Sequence, residues 1–375
     1  MKNHHHPFNC IVPPHMVEKI IENGLEAQIE RARQTLNVSG QMRGLRQSLS
    51  DITKKARATA AGNKNRVIFD AQNGSVLPGI LVRNEGENPT GDPAADEAYD
   101  GAGATYDLYY QIFERNSIDD NGMPLVSIVH YLEGYDNAFW NGERMVYGDG
   151  DEDLPVTDRL FNRFTIAIDI IAHELTHGVT QYEANLVYRD QPGALNESFS
   201  DVFGALVKQR IKNQTADQAD WLIGEGLFTD NVNGRAIRSM KNPGSAYDDP
   251  LLGKDPQPGH MDNFVETTSD NGGVHINSGI PNKAFYHVAS EIGGYAWEKA
   301  GKIWYATLKD KLNATSDFYA AANLTLEAAG ELYGSNSPEQ NAVQKGWEEV
   351  GIIVNLDKRK GCGNIFGSFL SNSGL

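Results

Sequence analysis

The stretch Asp169 to His177, DIIAHELTH, sets two histidines four residues apart with a glutamate directly after the first. At about 3.6 residues per helical turn, His173 and His177 leave one helix face a turn apart, which suits them to clamp a metal ion. Glu174 projects from nearly the same face and can reach a water on that metal without ligating it, the position of a base. A solvated helix with polar residues at i and i+4 is the alternative. It fits poorly with Ile168, Ile170, Ile171, Ala172, Leu175 and Val179 around it. Polar groups in an apolar helix need partners, and a metal supplies one.

Two histidines leave a catalytic zinc one protein ligand short, because such a site takes three protein groups and keeps one position open. A second helical segment starts near Asn196, and in it Glu197 and Asp201 repeat the four-residue spacing on one face. The pattern predicts Glu197 as third ligand. Asp201 is placed to accept the other N–H of a ligating imidazole, which fixes the tautomer and raises basicity.

The run HELTHGVTQYEANLVYRDQPGALNESFSDVFGAL resembles the thermolysin family of zinc endopeptidases. Matching segments lie at Asn137 to Asp151 (NAFWNGERMVYGDGD), Ile237 to Met240 (IRSM) and Asp270 to Tyr286 (DNGGVHINSGIPNKAFY). The similarity spans residues 66 to 352, and PPHMVEKI at Pro13 to Ile20 resembles the short prosegment of the protealysin-like branch.

The resemblance implies an α+β, two-lobe zincin with a sheet-rich N-terminal lobe, a helical C-terminal lobe and the HExxH helix at their junction. It implies Tyr188 and His275 as donors to a developing oxyanion, with Asp270 orienting His275. Substrate is expected to add as a strand along Asn137-Ala138-Phe139-Trp140, with the Asn137 side chain on its amides and Arg238 on a carbonyl. Phe161, Ile170, Ile223 and Ile237 are expected around the pocket for the residue after the cut, so cleavage should fall before Leu, Ile, Phe or Val. The resemblance also maps the acidic residues of a paired calcium site onto Asp169, Lys208, Asp220, Leu222 and Glu225. A lysine ammonium among those carboxylates neutralises them without metal, which disfavours a double Ca2+ site and leaves a single Ca2+ ion open.

Charge divides the chain. Residues 1 to 57 carry nine Lys/Arg against five Asp/Glu, a charge of +4, while the whole chain is at −17, leaving −21 on the rest. A basic leader should dock on an acidic body, and such a body repels nucleic acid. The expected domains are a prosegment and linker (1–55), the sheet-rich catalytic lobe with the HExxH helix (56–182), the helical lobe (183–352) and a tail (353–375). The leader is expected to act as intramolecular inhibitor and to be removed by self-processing at Gly44-Leu45, Ser48-Leu49 or Asp51-Ile52; a permanent packing helix is the alternative.

No run approaches the roughly 18 apolar residues of a membrane span, and no signal-peptide layout is present. Export by another route is expected, with a cytoplasmic location as the alternative; protein and peptide substrates and a monomeric state complete the reading. Cys10 and Cys362 allow one bridge between mobile ends, or two free thiols, with a Cys10 thiolate cap on the zinc as a further option. His4 to His6 receive no function. Rival readings are a zinc aminopeptidase and a non-catalytic zinc-containing binding protein.

For the local elements, apolar residues Val17, Ile20, Ile21, Leu25, Ile29 and Ala32 predict a helical leader broken at Asn23-Gly24. Residues 39 to 64 read as a polar linker, and Arg66 to Val82 as a hairpin turning at Asn73-Gly74. Further strands are expected at Leu125 to Tyr131 and Arg144 to Tyr147. Helices are expected at Asp96–Glu114, 166–182, 194–212, 279–291, 294–312, 317–333 and 340–350.

Overall fold

The computed structural model describes residues 9–49 and 62–354. Two leader helices come first, α1 (Pro14–Asn23) and α2 (Glu26–Leu49), after a short strand β1 (Asn9–Cys10). Pro13 and Pro14 favour that start, since a proline at the first helical position loses no hydrogen bond. The break at Gly24 falls where expected. Val17, Ile20 and Ala32 are buried as the spacing predicts, whereas Leu25 is exposed at the corner.

Residues 39 to 49 correct the linker reading, because α2 runs through them to Leu49. Gln41, Met42, Arg43, Leu45, Arg46 and Gln47 are good helix formers, and a helix already nucleated carries Gly40 and Gly44 at roughly 1 kcal/mol each. Of the expected cleavage sites, Gly44-Leu45 and Ser48-Leu49 therefore sit in helix, and Asp51-Ile52 lies outside the described residues. So do His4 to His6, Cys362 and the tail beyond Val354.

The N-terminal lobe is built on a six-stranded sheet. After β1 its strands are β2 (Arg66–Asp70), β3 (Ile80–Asn84), β4 (Leu125–Val129), β5 (Ala138–Trp140) and β6 (Met145–Tyr147), in the order β1-β5-β6-β4-β2-β3. β2 pairs parallel with β4, and β4 with β6; the other neighbours are antiparallel. The chain does turn near Gly74, whose N–H reaches Ala71 O at 2.8 Å, but the return strand waits until Ile80. Pro78, lacking an N–H, cannot join a ladder, so the hairpin is wider than its turn residues suggested. Helix α3 (Pro93–Phe113), capped by the Asp92 side chain on Ala94 N, lies against this sheet.

The remaining helices are α4 (Ile168–Tyr182), α5 (Asp190–Lys212), α6 (Asp270–Asn277), α7 (Gly279–Ile292), α8 (Ala300–Asp310), α9 (Phe318–Tyr333) and α10 (Pro338–Glu348). A two-stranded ribbon, β7 (Leu222–Ile223) with β8 (Arg238–Ser239), stands between α5 and α6 in the chain. One buried cluster joins leader residues Ile11 to Ile20, α3, α4, α5 and the C-terminal helices, so the leader shares the core of the body. Helix α4 is buried along nearly its whole length.

α4 and α5 approach closely because Gly204 faces Asp169: a Cβ there would stand 2.6 Å from the Asp169 carbonyl oxygen and 3.5 Å from His173 Cβ. Gly204→Ala must push the helices apart. We expect a loss of about 1–3 kcal/mol in thermal unfolding and weaker zinc retention. An unchanged unfolding midpoint would show that this contact is not tight.

Candidate active site

His173 and His177 rise one turn apart from α4, and their Nε2 atoms lie 3.0 Å from each other. Glu197, on α5, completes the group: Oε2 is 3.5 Å from His173 Nε2, and Oε1 is 3.4 Å from His177 Nε2. Among the described residues this trio is the group that could hold a metal ion, and all three side chains are buried. Glu197 Oε2 and Glu174 Oε1 are both buried without a hydrogen-bond partner. Inward-facing imidazole nitrogens beside an orphaned carboxylate oxygen fit a tetrahedral Zn2+ with an open position.

Each of the two histidines is held from behind. His173 Nδ1 meets Asp201 Oδ1 at 2.8 Å, as the i,i+4 spacing of Glu197 and Asp201 predicted. His177 Nδ1 meets Asn196 Oδ1 at 2.8 Å and Ser200 Oγ at 3.0 Å. Those two were not foreseen, although Asn196 and Ser200 repeat the same four-residue spacing one position earlier. Asp201 also accepts Arg238 Nε and Nη2, both at 2.8 Å, and Asn282 Nδ2 at 2.8 Å. Burial alone would raise the Asp201 carboxyl, but Arg238 and His173 hold it at about 2. It stays a carboxylate.

Glu174 takes one contact, from Trp140 N–H to Oε2 at 3.1 Å. Burial, eased by the charge of His173, pushes its carboxyl up to about 8, the range useful to a base at neutral pH. His275 lies 3.6 Å from Glu197 Oε2 through Nε2, and Tyr188 OH bridges the two, donating to Glu197 Oε1 and lying 3.1 Å from His275 Nε2. Asp270 grips His275 twice: Oδ1 meets Nδ1 at 2.6 Å, and Oδ2 accepts its backbone N–H at 2.8 Å. Burial works against the imidazolium, yet Asp270 and Glu197 carry its pKa to about 9. The DNGG turn makes that grip possible, because Asn271, Gly272 and Gly273 all adopt positive φ, and a Cβ on Gly272 would collide with Asp190.

The cleft beside these groups contains the leader. β1 pairs antiparallel with β5, with Cys10 opposite Phe139. Ile11 N–H donates to Ala138 O at 3.3 Å, and its carbonyl accepts from Arg238 Nη1 at 3.2 Å. Val12 N–H donates to Asn137 Oδ1 at 3.0 Å, and His275 Nε2 lies 3.0 Å from the Cys10 carbonyl. Thus Asn137, Ala138, Arg238 and His275 meet on one extended segment. Cys10 is buried rather than at a mobile end, with its sulfur 3.7 Å from Val12 O and outside the metal-holding trio.

Phe161, Ile170, Ile223 and Ile237, expected around the pocket, are all buried in the common core. A Cβ on Gly224 would lie 3.4 Å from Ile170 Cδ1 and 3.3 Å from Ile237 Cγ1, so those side chains converge there. Ile223 pairs with Arg238, and Phe161 packs on Phe228 with centroids 5.8 Å apart. Where the resemblance mapped calcium residues, Lys208 Nζ lies 3.1 Å from Asp169 and 2.9 Å from Asp220, 4.0 Å from Glu225, and donates to Leu222 O at 2.7 Å.

A buried HExxH helix set against a helix bearing the third carboxylate, between a sheet-rich and a helical lobe, defines a zincin-type metallopeptidase. Residues 28–181 match the family described as "Thermolysin metallopeptidase, catalytic domain", and residues 184–352 match "Thermolysin metallopeptidase, alpha-helical domain". The chain belongs to the thermolysin family of metalloendopeptidases, which uses zinc. It is 50% identical to "Extracellular metalloprotease" of Pectobacterium carotovorum subsp. carotovorum over 93% of this chain and 97% of that one. It is 47% identical to "Protease PrtS" of Photorhabdus sp. (strain Az29) over 92% and 93%. The precursor of protealysin from Serratia proteamaculans superimposes with a TM-score of 0.83 at 51% identity, covering 92% of this chain and 99% of that one.

His173→Ala, His177→Ala and Glu197→Ala should each lose most of the one zinc per chain measured by elemental analysis. Glu174→Ala should keep the metal while losing on the order of a hundredfold or more in rate. Full zinc occupancy in His177→Ala would refute the ligand assignment.

Proposed function

We propose that the chain is a zinc-dependent neutral endopeptidase precursor that cuts before bulky apolar residues and is held latent by residues 1 to about 55 until it processes itself. The observation that carries this reading is the Asn9–Val12 segment, whose strand β1 pairs with β5 and whose Ile11 and Cys10 carbonyls meet Arg238 and His275. A chain held at its middle by backbone bonds suits an endopeptidase, whereas an aminopeptidase would need a grip on a free amine. A structural zinc protein has no use for Glu174 beside the open position.

A bound zinc supplies Lewis acidity, bringing the pKa of water toward about 7. Glu174 takes the proton as water attacks the carbonyl and later passes it to the leaving amine. Tyr188 and His275 donate to the oxyanion, His275 as the imidazolium that Asp270 sustains. Asp201 and Asp270 hold their histidines in tautomer and orientation. Asn137, Ala138 and Arg238 align the chain; Phe161, Ile170, Ile223 and Ile237 receive the side chain after the cut. In the leader, Ile11, whose carbonyl Arg238 holds, is fully buried, which supports an apolar residue at that position.

Latency follows from how the leader is tied. After Val12 the prolines leave no N–H to extend the ladder, and the chain enters α1, whose Met16, Val17 and Ile20 are buried in the common core. The basic leader on an acidic body adds attraction. Secretion without a recognisable signal peptide is part of the same reading, supported by relatives named extracellular.

An end-blocked quenched peptide with Leu after the scissile bond should be cut with kcat/KM at least about a hundredfold above its Asp counterpart, since a charge would enter a pocket offering it no partner. Equal turnover refutes the pocket. In parallel, masses followed over time should show the wild type losing its leader while Glu174→Ala stays whole; identical rates in both would refute self-processing.

Latency should also weaken in acid. His15 is partly buried, with Nε2 3.1 Å from Tyr247 OH and Nδ1 without a hydrogen-bond partner. Burial first, then the charges of His275 and Arg238, against the opposing pull of Asp270, lower its pKa to about 4. Released, it returns to about 6.5. Docking therefore gains from neutral His15 above about pH 6.5 and loses roughly tenfold per pH unit below it, toward pH 4. Hydrogen exchange of α1 in the Glu174→Ala precursor should speed up accordingly once corrected for intrinsic rates, and His15→Gln should flatten the dependence. An unchanged profile in His15→Gln would remove His15 as the cause.

A further inference from the structure

The leader crosses the cleft in a register that singles out one of its own peptide bonds. The Cys10 carbonyl lies 3.0 Å from His275 Nε2, and because a carbonyl only accepts, the imidazole donates to it. The same nitrogen is 3.1 Å from Tyr188 OH and 3.6 Å from Glu197 Oε2, so the Cys10 oxygen stands with the oxyanion donors beside the metal-holding trio. Across that peptide bond, Ile11 N–H donates to Ala138 O at 3.3 Å.

The groups that follow are matched in turn. The Ile11 carbonyl accepts from Arg238 Nη1 at 3.2 Å. The Asn137 side chain takes both ends of Val12, with Oδ1 accepting its N–H at 3.0 Å and Nδ2 donating to its carbonyl at 3.4 Å. Ile11 is 0% exposed and shares its core cluster with Phe161, Ile170, Ile223 and Ile237. A slip of one residue would turn Ile11 to the other face and misplace every one of these contacts.

We propose that the Cys10–Ile11 bond is itself a substrate of this site: the leader docks as a chain about to be cut, is nicked there within its own molecule, and keeps the cleft closed as the bound product. The oxygen of a water joins the Cys10 carbonyl carbon while Glu174 takes its proton. The C–N bond to Ile11 breaks, and that proton passes to the Ile11 nitrogen. Cys10 ends as a carboxylate and Ile11 as an amine next to the Ala138 carbonyl. Burial on the two sides decides what happens next. Upstream, among the described residues, only Asn9–Cys10 pairs with β5. Downstream, Ile11, Val12, Met16, Val17 and Ile20 are all in the common core. The nick therefore frees residues 1–10 and leaves the rest seated, and an amine held this close to the new carboxylate can also rejoin it.

The inference rests on the endopeptidase reading and its preference for an apolar residue after the cut, but not on cleavage near residues 44–52. Full-length wild type and Glu174→Ala are prepared with a chelator, given zinc in heavy-oxygen water, sampled over time and digested with trypsin in ordinary water. The bond lies in the tryptic peptide 3–19. Wild type should yield peptides 3–10 and 11–19 with a heavy oxygen on Cys10, or an uncut 3–19 that carries the label in its Cys10 carbonyl. The rate should not change on dilution and should exceed that of Glu174→Ala at least about a hundredfold. Hydrogen exchange of α1 should stay as slow in the nicked chain as in the intact one, a readout of retention that does not depend on catalysis. Cleavage in the linker with neither nick nor label overturns the inference and leaves self-processing standing; a nick without linker cleavage does the reverse, and absence of both overturns both. A rate that rises with protein concentration, the mark of one chain cutting another, also overturns it, as does loss of α1 protection on nicking.

Discussion

The close contact of α4 and α5 is the constraint on which the rest depends. One helix supplies two imidazoles and the other a carboxylate, and the three meet only because Gly204 lets the backbones approach at Asp169. Everything nearby serves that meeting. Asp201, Asn196 and Ser200, on the same helix as Glu197, reach back to the far nitrogens of the two histidines. A single pair of helices thus carries both the metal-facing groups and the groups that orient them, which couples metal affinity to packing.

The asymmetry between what was legible in the sequence and what was not has physical causes. Helical spacing alone predicted that His173, His177, Glu197 and Asp201 would converge, because α4 and α5 are regular and a fixed period translates directly into a shared face. Tyr188, His275, Arg238 and Asn137 sit on loops, a kinked turn and strand ends, where no period exists. Only resemblance pointed to them. The linker reading failed at residues 39–49 because composition measures how little a segment can bury, whereas a helix already started can continue through polar residues and glycine. Leu25 erred the other way, apolar yet exposed at a corner between two helices. The place of Ile11 under Arg238, more than two hundred positions away, is a tertiary fact with no local trace.

Internal cations recur in this acidic molecule. Lys208 stands among Asp169, Asp220 and Glu225, and its carbonyl contact to Leu222 ties α5 to β7. Arg238 does the same work for Asp201 while its remaining nitrogen faces the cleft. A guanidinium suits that double duty because its planar fork can bind a carboxylate with one edge and a carbonyl with the other. The group that holds the Ile11 carbonyl is therefore wired, through Asp201, to the basicity of His173.

The position of β5 at the margin of the sheet carries a cost of its own. With β1 in place its backbone groups are paired; without β1, Ala138 to Trp140 present a bare ladder edge. An edge that accepts any extended peptide as an added strand also accepts a neighbouring molecule's edge, the usual route to sheet-to-sheet aggregation. The strand is only three residues long, and Gly142, at positive φ, lies just past its end, so little can be templated on it. With β1 docked, the leader doubles as a dust cover that keeps the adhesive margin of the sheet closed.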